Sequence, residues 1–236
     1  MKWQNSSINS WKDLLLSAIP ALNELPKELE WELGGGTALM LSINHRLSKD
    51  VDIFFENARA LKLLAPSTNE RTRRICDEWQ QPGHYIKLVK YDKGEIDFLV
   101  SRTFEDSPVK LYNFSHNGIV QVIRIETPKE ILSKKIFHRA SQFTIRDIFD
   151  VAAVVEKDKL VLNRLSPDVI EKLPLAIDRI KTLRNEYKID IEKYVMPIEV
   201  SNNVLSEAPD IAIEKLSKEL ERAEKEERKL NNDFGL

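Results

Sequence analysis

The first half of the chain alternates short apolar runs with turn residues, whereas the second half repeats apolar residues at helical spacing. HYIKLVKY and EIDFLV each alternate apolar and polar positions around the turn residues DKG, so residues 84–100 predict a β-hairpin. The runs VDIFF and IVQVIRI predict strands at 51–55 and 119–125. A short extended stretch at 30–33 ends at three glycines, and TALMLSIN at 37–44 favours a two-turn helix. This part of the chain therefore has the order strand, glycine turn, helix, strand.

Helix-start motifs mark the second half. TPKE at 127–130 combines an N-cap hydroxyl, a proline at the first helical position and a glutamate three residues after the cap. TIRD at 144–147 is a weaker form of the same motif, so we expect two helices separated near Phe143. Another helix is expected from SPD at 166–168 through residue 183, bent at Pro174, and the last from about Pro209. The pattern predicts an α/β domain over 1–126 and a helical domain over 127–236 that closes an active-site cleft.

Composition narrows the class of protein only slightly. The chain has 236 residues, 42% of them apolar, and a formal net charge of -2, so nucleic-acid binding would need a local basic patch. The single cysteine, Cys76, excludes an internal disulfide and a zinc site built from several cysteines. No apolar run approaches the roughly 20 residues of a membrane span. The opening MKWQNSSINSW lacks the apolar core of a signal peptide. We expect a soluble, cytoplasmic protein without membrane contact.

Three aspartates on predicted strands form a candidate metal site. Asp50 and Asp52 are separated by one residue, so their side chains leave the same face of a strand about 7 Å apart. Such a pair commonly faces water at a strand end, but a divalent cation would offset its repulsion. Asp97 lies opposite to the apolar positions of its own strand, where it is either an ordinary exposed residue or a third acid of this site.

The glycines ahead of these acids form a candidate phosphate site. Gly35 and Gly36 lie where a strand ends and a helix begins, and glycines there let backbone amides approach an anion. Thr37 adds a hydroxyl for a helix cap or a phosphate contact. The sequence is not a P-loop, because the Gly-Lys-Ser/Thr ending is absent. The order of phosphate cradle, helix and paired acids suits a metal-bound triphosphate.

These residues resemble the first motif of the AbiEii/AbiGii toxin family within the nucleotidyltransferase superfamily. The matching positions are Gly35-Gly36-Thr37-Ala38-Leu39, His45-Arg46, Ser48, Asp50 and Asp52. The predicted helical half resembles the second motif of the family, in which a helix carries a lysine, then an arginine, then an R-D-x-x-D element. The matching positions are Lys135, Arg139, Arg146-Asp147 and Asp150. The resemblance covers residues 30 to 156 in the right order.

The resemblance implies a nucleotidyltransferase fold, a mixed sheet with flanking helices, followed by a helical domain. It implies transfer of a nucleotide from an NTP to an acceptor, with RNA and in particular tRNA as the leading case and protein as the other, and a cognate antitoxin. Two Mg²⁺ ions, or Mn²⁺, would be held by Asp50, Asp52 and Asp97, with Asp97 helping to deprotonate the acceptor. The expected nucleotide and phosphate contacts are Gly35, Gly36, Thr37, Ser48, Lys135 and Arg139. Lys135 and Asp147 complete the expected catalytic set.

Several alternatives stay open at this point. The same residues suit a non-catalytic nucleotide- or RNA-binding module, or a metal-dependent phosphodiesterase that uses water as nucleophile. Arg46 either pairs with an aspartate or contacts substrate. Asp147 is either catalytic or pairs with Arg146 to fix two helices. The basic run at 71–74 is either a surface helix or an RNA contact.

Overall fold

The computed structural model describes residues 9–233, with side chains described as far as residue 229. The first eight residues lie outside the described residues. They include most of the opening segment MKWQNSSINSW, which we expect not to be a signal peptide. The chain divides into two compact units. Unit 1 comprises the chain up to Ser42, Leu47–Thr103 and Ser107–Thr127, and unit 2 comprises Ile43–Arg46, Phe104–Asp106 and the chain from Pro128.

Unit 1 is built on a mixed seven-stranded sheet with the strand order β3-β4-β5-β2-β1-β7-β6. Its strands are β1 Glu32–Gly34, β2 Val51–Phe55, β3 Glu78–Gln80, β4 Tyr85–Lys90, β5 Gly94–Val100, β6 Val109–His116 and β7 Ile119–Glu126. β2 is central, because it pairs antiparallel with β1 and parallel with β5. The hairpin predicted at 84–100 is confirmed as β4 and β5. The sequence patterns did not predict the edge strands β3 and β6.

Alternation along the central strands separates a core face from a polar face. Val51, Ile53 and Phe55 of β2 are buried, while Asp52 between them is partly exposed. On β5, Ile96 is buried in the same way. Helix α1, Ser10–Leu22, packs on β2 and β5 and buries its apolar side chains there. The remaining helices of this unit are α2 Gly35–Ile43, α3 Arg59–Leu64 and α4 Glu70–Ile75. The last residue of α2, Ile43, belongs to unit 2.

Unit 2 is helical. Its helices are α5 Pro128–Arg139, α6 Ile145–Lys157, α7 Pro167–Ile170, α8 Leu173–Tyr194 and α9 Asn202–Asp233, with a 3-10 helix at Ala140–Gln142. Nearly every side chain of α6 is buried, and α8 and α9 pack against it. The predicted break before α6 is confirmed, because Thr144 caps α6 in a capping box with Asp147.

Two prolines have effects that differ from the sequence prediction. Pro174 lies in the first turn of α8, where no backbone donor is needed, so it separates α7 from α8 instead of bending one helix.

The last helix begins at Asn202 and contains Pro209 in its interior. Because Pro209 has no backbone N–H, the carbonyl of Leu205, four residues earlier, lacks its usual helical hydrogen bond. The hydroxyl of Tyr187 donates to that carbonyl at 3.1 Å, which compensates for the missing bond.

The segment Ile43–Arg46 belongs to unit 2 through backbone pairing. The N–H of Ile198 donates to the carbonyl of His45, and the N–H of Glu199 donates to that of Asn44. Arg46 and Pro197 form an isolated β-bridge. These bonds place two loop side chains, His45 and Arg46, among the helices of unit 2.

None of the helices within residues 9–233 combines the length and apolar character needed to cross a bilayer.

Candidate active site

Two of the predicted acids face each other across adjacent strands. Asp52 of β2 and Asp97 of β5 are paired in the parallel register. Residues paired in register project to the same face of a sheet, so both carboxylates lie on the polar face. Asp50 immediately precedes β2, and its negative charge helps to raise the pKa of Asp97. The sheet therefore gathers all three predicted acids on unit 1.

The glycine turn brings the start of α2 against Asp52. Gly35 has φ +61°, a left-handed conformation that favours glycine, and it is the first residue of α2. A Cβ placed on Gly35 would lie 1.9 Å from Oδ2 of Asp52. Only a glycine leaves room for this carboxylate beside the helix start, where the helix dipole favours negative charge. Gly36 follows in the first turn of α2.

Thr37 and Ser48 each make a hydrogen bond within unit 1. The hydroxyl of Thr37 is buried and donates to the backbone carbonyl of Asp50 at 2.5 Å. It thereby ties α2 to the residue that begins the acidic segment. The half-buried Ser48 directs its backbone N–H to the sulfur of Met40 at 3.4 Å.

Asp97 has one oxygen bound and one unsatisfied. Its Oδ2 accepts a hydrogen bond from Nζ of Lys87 at 3.0 Å, and Lys87 also hydrogen-bonds to Glu95. Its Oδ1 is buried and has no hydrogen-bond partner among the described residues. Burial raises the pKa of Asp97, the charges of Glu95 and Asp50 add to this effect, and Lys87 opposes it. Sequence reasoning did not single out Lys87 or Glu95, because no motif contains them and only strand register brings them here.

The donor set of this face fits Mg²⁺ when substrate supplies part of the coordination. Within the described part of the chain, no group of three or more His, Cys, Asp or Glu side chains is arranged so that it could hold a metal ion. Mg²⁺ is usually held by one or two carboxylates together with phosphate oxygens and water. Asp97 lies opposite Asp52, and its Oδ1, which has no hydrogen-bond partner in the described ranges, is the kind of ligand that such a site needs.

A second acidic residue set forms a buried ion cluster in unit 2. Asp150 is fully buried and accepts two hydrogen bonds from Arg46, Nε to Oδ1 at 2.6 Å and Nη2 to Oδ2 at 2.9 Å. Nε2 of His45 lies 2.8 Å from Oδ1, and Nζ of Lys135 lies 3.0 Å from Oδ2. Burial alone would raise the pKa of Asp150, but Arg46 and Lys135 hold it well below its usual value. Of the two sequence alternatives for Arg46, the structure shows pairing with an aspartate.

Lys135 joins Asp150 to Asp147. Nζ of Lys135 donates to Oδ1 of Asp147 at 2.7 Å, and the Lys135 side chain is only 12% exposed. Oδ2 of Asp147 accepts from the backbone and hydroxyl of Thr144 and lies 3.2 Å from Nη2 of Arg139. The guanidinium side chain of Arg139 is 46% exposed, so it is the most accessible cation of this cluster.

Of the two alternatives for Asp147, the structure does not show the pairing with Arg146. Arg146 is exposed, and its Nε donates to the backbone carbonyl of Tyr194 at 3.2 Å. The reason is helical geometry, because adjacent residues of a helix point in different directions. The ion pair that links α5 to α6 through Asp147 is made by Lys135 on α5. The basic run at 71–74 also has local partners, with Arg71 bound to Glu24 and Arg74 to Glu70.

Comparison with known proteins agrees with these features. A family model described as the nucleotidyl transferase AbiEii toxin of a type IV toxin–antitoxin system matches residues 18–230, which confirms the resemblance seen in the sequence. No curated protein matches this chain.

This chain is also similar to several solved structures. A protein from H. pylori assigned to the nucleotidyltransferases is 16% identical with a TM-score of 0.55, over 94% of this chain and 98% of that chain. The lincosamide antibiotic adenylyltransferase LnuA, bound to lincomycin, is 15% identical with a TM-score of 0.39, over 60% of this chain and 94% of that chain. An antigenic nucleotidyltransferase-like protein from Paracoccidioides brasiliensis is 18% identical with a TM-score of 0.43, over 76% and 92%. The first of these shows the nucleotidyltransferase fold, so the expected α+β fold class is confirmed.

Proposed function

This chain belongs to the AbiEii nucleotidyl transferase toxin family, and from that premise we propose that it moves a nucleotide from an NTP to an RNA acceptor in a reaction that requires Mg²⁺. A tRNA end is the first acceptor to test. The observation that carries the proposal is the placement of Asp52 opposite Asp97, with the glycine turn at Gly35 against the Asp52 carboxylate. Because the family is part of a type IV toxin–antitoxin system, we also propose that a cognate antitoxin counteracts this activity.

Each part of unit 1 has a proposed role. The backbone amides of Gly35 and Gly36 bind phosphate oxygens at the start of α2. Asp52 and Asp97 are the carboxylates proposed to hold Mg²⁺, or Mn²⁺ in its place, together with phosphate oxygens and water, and Asp50 is the third acid that would join them when substrate is bound. When bound, the metal ions supply charge neutralisation on the phosphates and activation of the acceptor hydroxyl. Thr37 positions Asp50 through its carbonyl instead of binding phosphate.

The proposed reaction is a displacement at the α-phosphorus of the NTP. The acceptor hydroxyl oxygen forms a bond to the α-phosphorus, and the bond from that phosphorus to the pyrophosphate oxygen breaks. Asp97 accepts the hydroxyl proton, a role favoured by the burial that raises its pKa. The remaining contribution of these side chains is orientation, which brings the reacting atoms into line.

In unit 2, Arg139 is the better-supported phosphate contact. It is the most exposed cation of the Asp147–Asp150 cluster. Lys135 is shared between two carboxylates, so a phosphate contact by its ammonium requires one of them to give way. We propose that Asp147 acts by holding both cations in place.

The test is a transfer assay with the purified full chain, each labelled ribonucleoside triphosphate, total RNA or tRNA, and Mg²⁺. We expect label in RNA, lost when EDTA removes the metal. Asp52→Asn should lower the transfer rate by more than about 100-fold, because a metal ligand is lost. Asp92→Asn is the matched control, since Asp92 is an exposed residue of the β4–β5 turn, and it should transfer at the wild-type rate.

The other outcomes separate the competing functions. Shortened RNA without incorporated label would indicate a phosphodiesterase, and label on protein would indicate a protein acceptor. Binding of an NTP without transfer or hydrolysis would indicate a binding module. Equal transfer by wild type and Asp52→Asn would contradict the proposed site itself.

A further inference from the structure

One register row of the sheet places a lysine next to the proposed acids. Lys87 of β4 is paired with Asp97 of β5, which is paired with Asp52 of β2, which is paired with Gly34 of β1. Gln80 of β3 extends the row on the other side of Lys87. Side chains in one row project to one face, so Lys87 lies beside the acids on the polar face.

Lys87 is held in this position from two sides. Its ammonium hydrogen-bonds to Glu95 and to Oδ2 of Asp97, the latter at 3.0 Å, and its side chain is 25% exposed. Burial alone would lower the pKa of Lys87, but the hydrogen bond to Glu95 and the charge of Asp97 raise it. The lysine is therefore a fixed cation at neutral pH.

The two oxygens of Asp97 have different environments as a result. Oδ2 is bound by Lys87, while Oδ1 is buried without a hydrogen-bond partner among the described residues. Buried carboxylate oxygens normally have partners, so an unsatisfied one calls for an explanation. A bond to one oxygen of a carboxylate fixes its rotamer and leaves the other oxygen available to a ligand.

We propose that Lys87, anchored by Glu95, is a positioning residue that fixes the Asp97 carboxylate so that Oδ1 can bind the metal or the acceptor proton. This inference rests on the proposed function, because it gives Asp97 its role in nucleotide transfer. Lys87 acts through Asp97 and touches neither substrate nor metal. Glu95 acts one step further away, through Lys87.

An alternative is that Lys87 only stabilises the pairing of β4 with β5. Lys90 of the same strand is a suitable comparison, because its ion-pair partner is Asp77, at 2.6 Å, instead of one of the proposed acids. If cross-strand ion pairing were the only role, Lys87→Met and Lys90→Met would have similar effects on the protein. A positioning role predicts an effect on metal binding and turnover from Lys87→Met alone.

The variants are Lys87→Met, Lys87→Arg, Glu95→Gln and the control Lys90→Met. With Mn²⁺ alone as the probe, followed by electron paramagnetic resonance, Lys87→Met should weaken binding about 10-fold, as expected for a residue that orients a ligand. In the transfer assay it should lower kcat about 10- to 100-fold with KM for the NTP nearly unchanged. Lys87→Arg should restore most of both losses, Glu95→Gln should show a smaller loss, and Lys90→Met should match wild type.

A double-mutant cycle identifies the residue through which Lys87 acts. In an Asp97→Asn background, Lys87→Met should change kcat and Mn²⁺ affinity by less than about 3-fold, because the group that it positions is already altered. Equal losses in both backgrounds would overturn the proposal. Tighter Mn²⁺ binding by Lys87→Met would also overturn it, since Lys87 would then be a competing cation.

A crystal structure of Lys87→Met tests the proposal independently of activity. The Asp97 carboxylate should adopt a new rotamer, whereas an unchanged carboxylate would overturn the inference even if activity fell. This readout and the Mn²⁺ measurement need no acceptor. A wild-type chain that binds Mn²⁺ through Asp97 but transfers no nucleotide would contradict the proposed function while leaving the positioning role of Lys87 supported.

Discussion

Substitution of Gly35 by alanine tests how the glycine turn and Asp52 depend on each other. Gly35 combines a left-handed backbone, φ +61°, with the close approach of the Asp52 carboxylate. Alanine introduces two separate penalties there. The first is conformational and affects stability, and the second is steric and affects the position of a proposed metal ligand.

The structure gives a magnitude for each penalty. A residue with a Cβ in the left-handed region costs about 1–2 kcal/mol of stability. The new Cβ would lie 1.9 Å from Oδ2 of Asp52, and ordinary contact begins at 3.4 Å, so the carboxylate must move by about 1.5 Å. A misplacement of about 1 Å at a reacting centre can cost roughly 100-fold in rate, and we expect a loss of at least this size.

Gly118 provides the matched control, because it has the conformational penalty without the steric one. It lies in the β6–β7 turn with φ +77°, and a Cβ there would meet nothing within 4 Å. Urea unfolding should show a similar loss of stability, about 1–2 kcal/mol, from the backbone conformation of each alanine variant. In the transfer assay, Gly118→Ala should keep the wild-type rate while Gly35→Ala loses about 100-fold.

Two results would refute this reasoning. Gly35→Ala with a transfer rate within about 3-fold of wild type would show that the position of Asp52 does not limit the reaction. An equal loss of rate in Gly118→Ala would show that stability, and not the displaced carboxylate, explains the effect.

Two further predictions concern the ion cluster of unit 2. Asp150→Asn removes a buried counter-charge from Arg46 and Lys135. The free energy of unfolding, measured in urea, should therefore fall by about 3–5 kcal/mol. A loss below about 1 kcal/mol would contradict a structural role of Asp150. Burial lowers the pKa of His45; the charge of Asp150 opposes this effect, and those of Arg46 and Lys135 add to it. The folded protein therefore takes up a proton on this imidazole at a lower pH than the unfolded chain, which does so below about pH 6.5. The contribution of His45 to the free energy of unfolding is fully present above that pH and is lost as the pH falls, by up to about 2 kcal/mol at pH 5. Urea titrations at pH 7 and pH 5 measure this loss, and His45→Gln should remove the part of it that His45 causes. An unchanged pH dependence in His45→Gln would show that the imidazole is already protonated or exposed.

Local patterns predicted the elements whose signals are local. The β4–β5 hairpin follows from alternation around a turn, and the start of α6 follows from the Thr144 cap. The edge strand β6 was missed because its exposed face carries apolar residues, with Leu111 73% exposed, which obscures the expected alternation. The start of α9 was misplaced because Pro209 usually opens a helix, and the compensating hydroxyl of Tyr187 lies 18 residues away from the carbonyl it contacts.

The sequence singled out the parts of the candidate site but not the pairings between them. The spacing of Asp50 and Asp52 and the glycines ahead of them are local features, and the resemblance joined them to Lys135 and Asp147. The pairing of Lys87 with Asp97 depends on strand register, which alternation alone does not specify. The contact of Arg46 with Asp150 joins residues 104 positions apart, and no local pattern encodes it.

The aspartates matched by the resemblance fall into two physical classes. Asp147 and Asp150 are surrounded by cations and hydrogen-bond donors, which lower the pKa of each, and both are almost completely buried. Such acids are already compensated, so binding a metal would require an existing partner to leave. Asp97 has a raised pKa and, among the residues that the structure describes, an oxygen without a hydrogen-bond partner, so a cation bound there would supply the missing compensation. Electrostatic satisfaction therefore distinguishes Asp147 and Asp150, which hold unit 2 together, from Asp97, whose Oδ1 is available to a ligand.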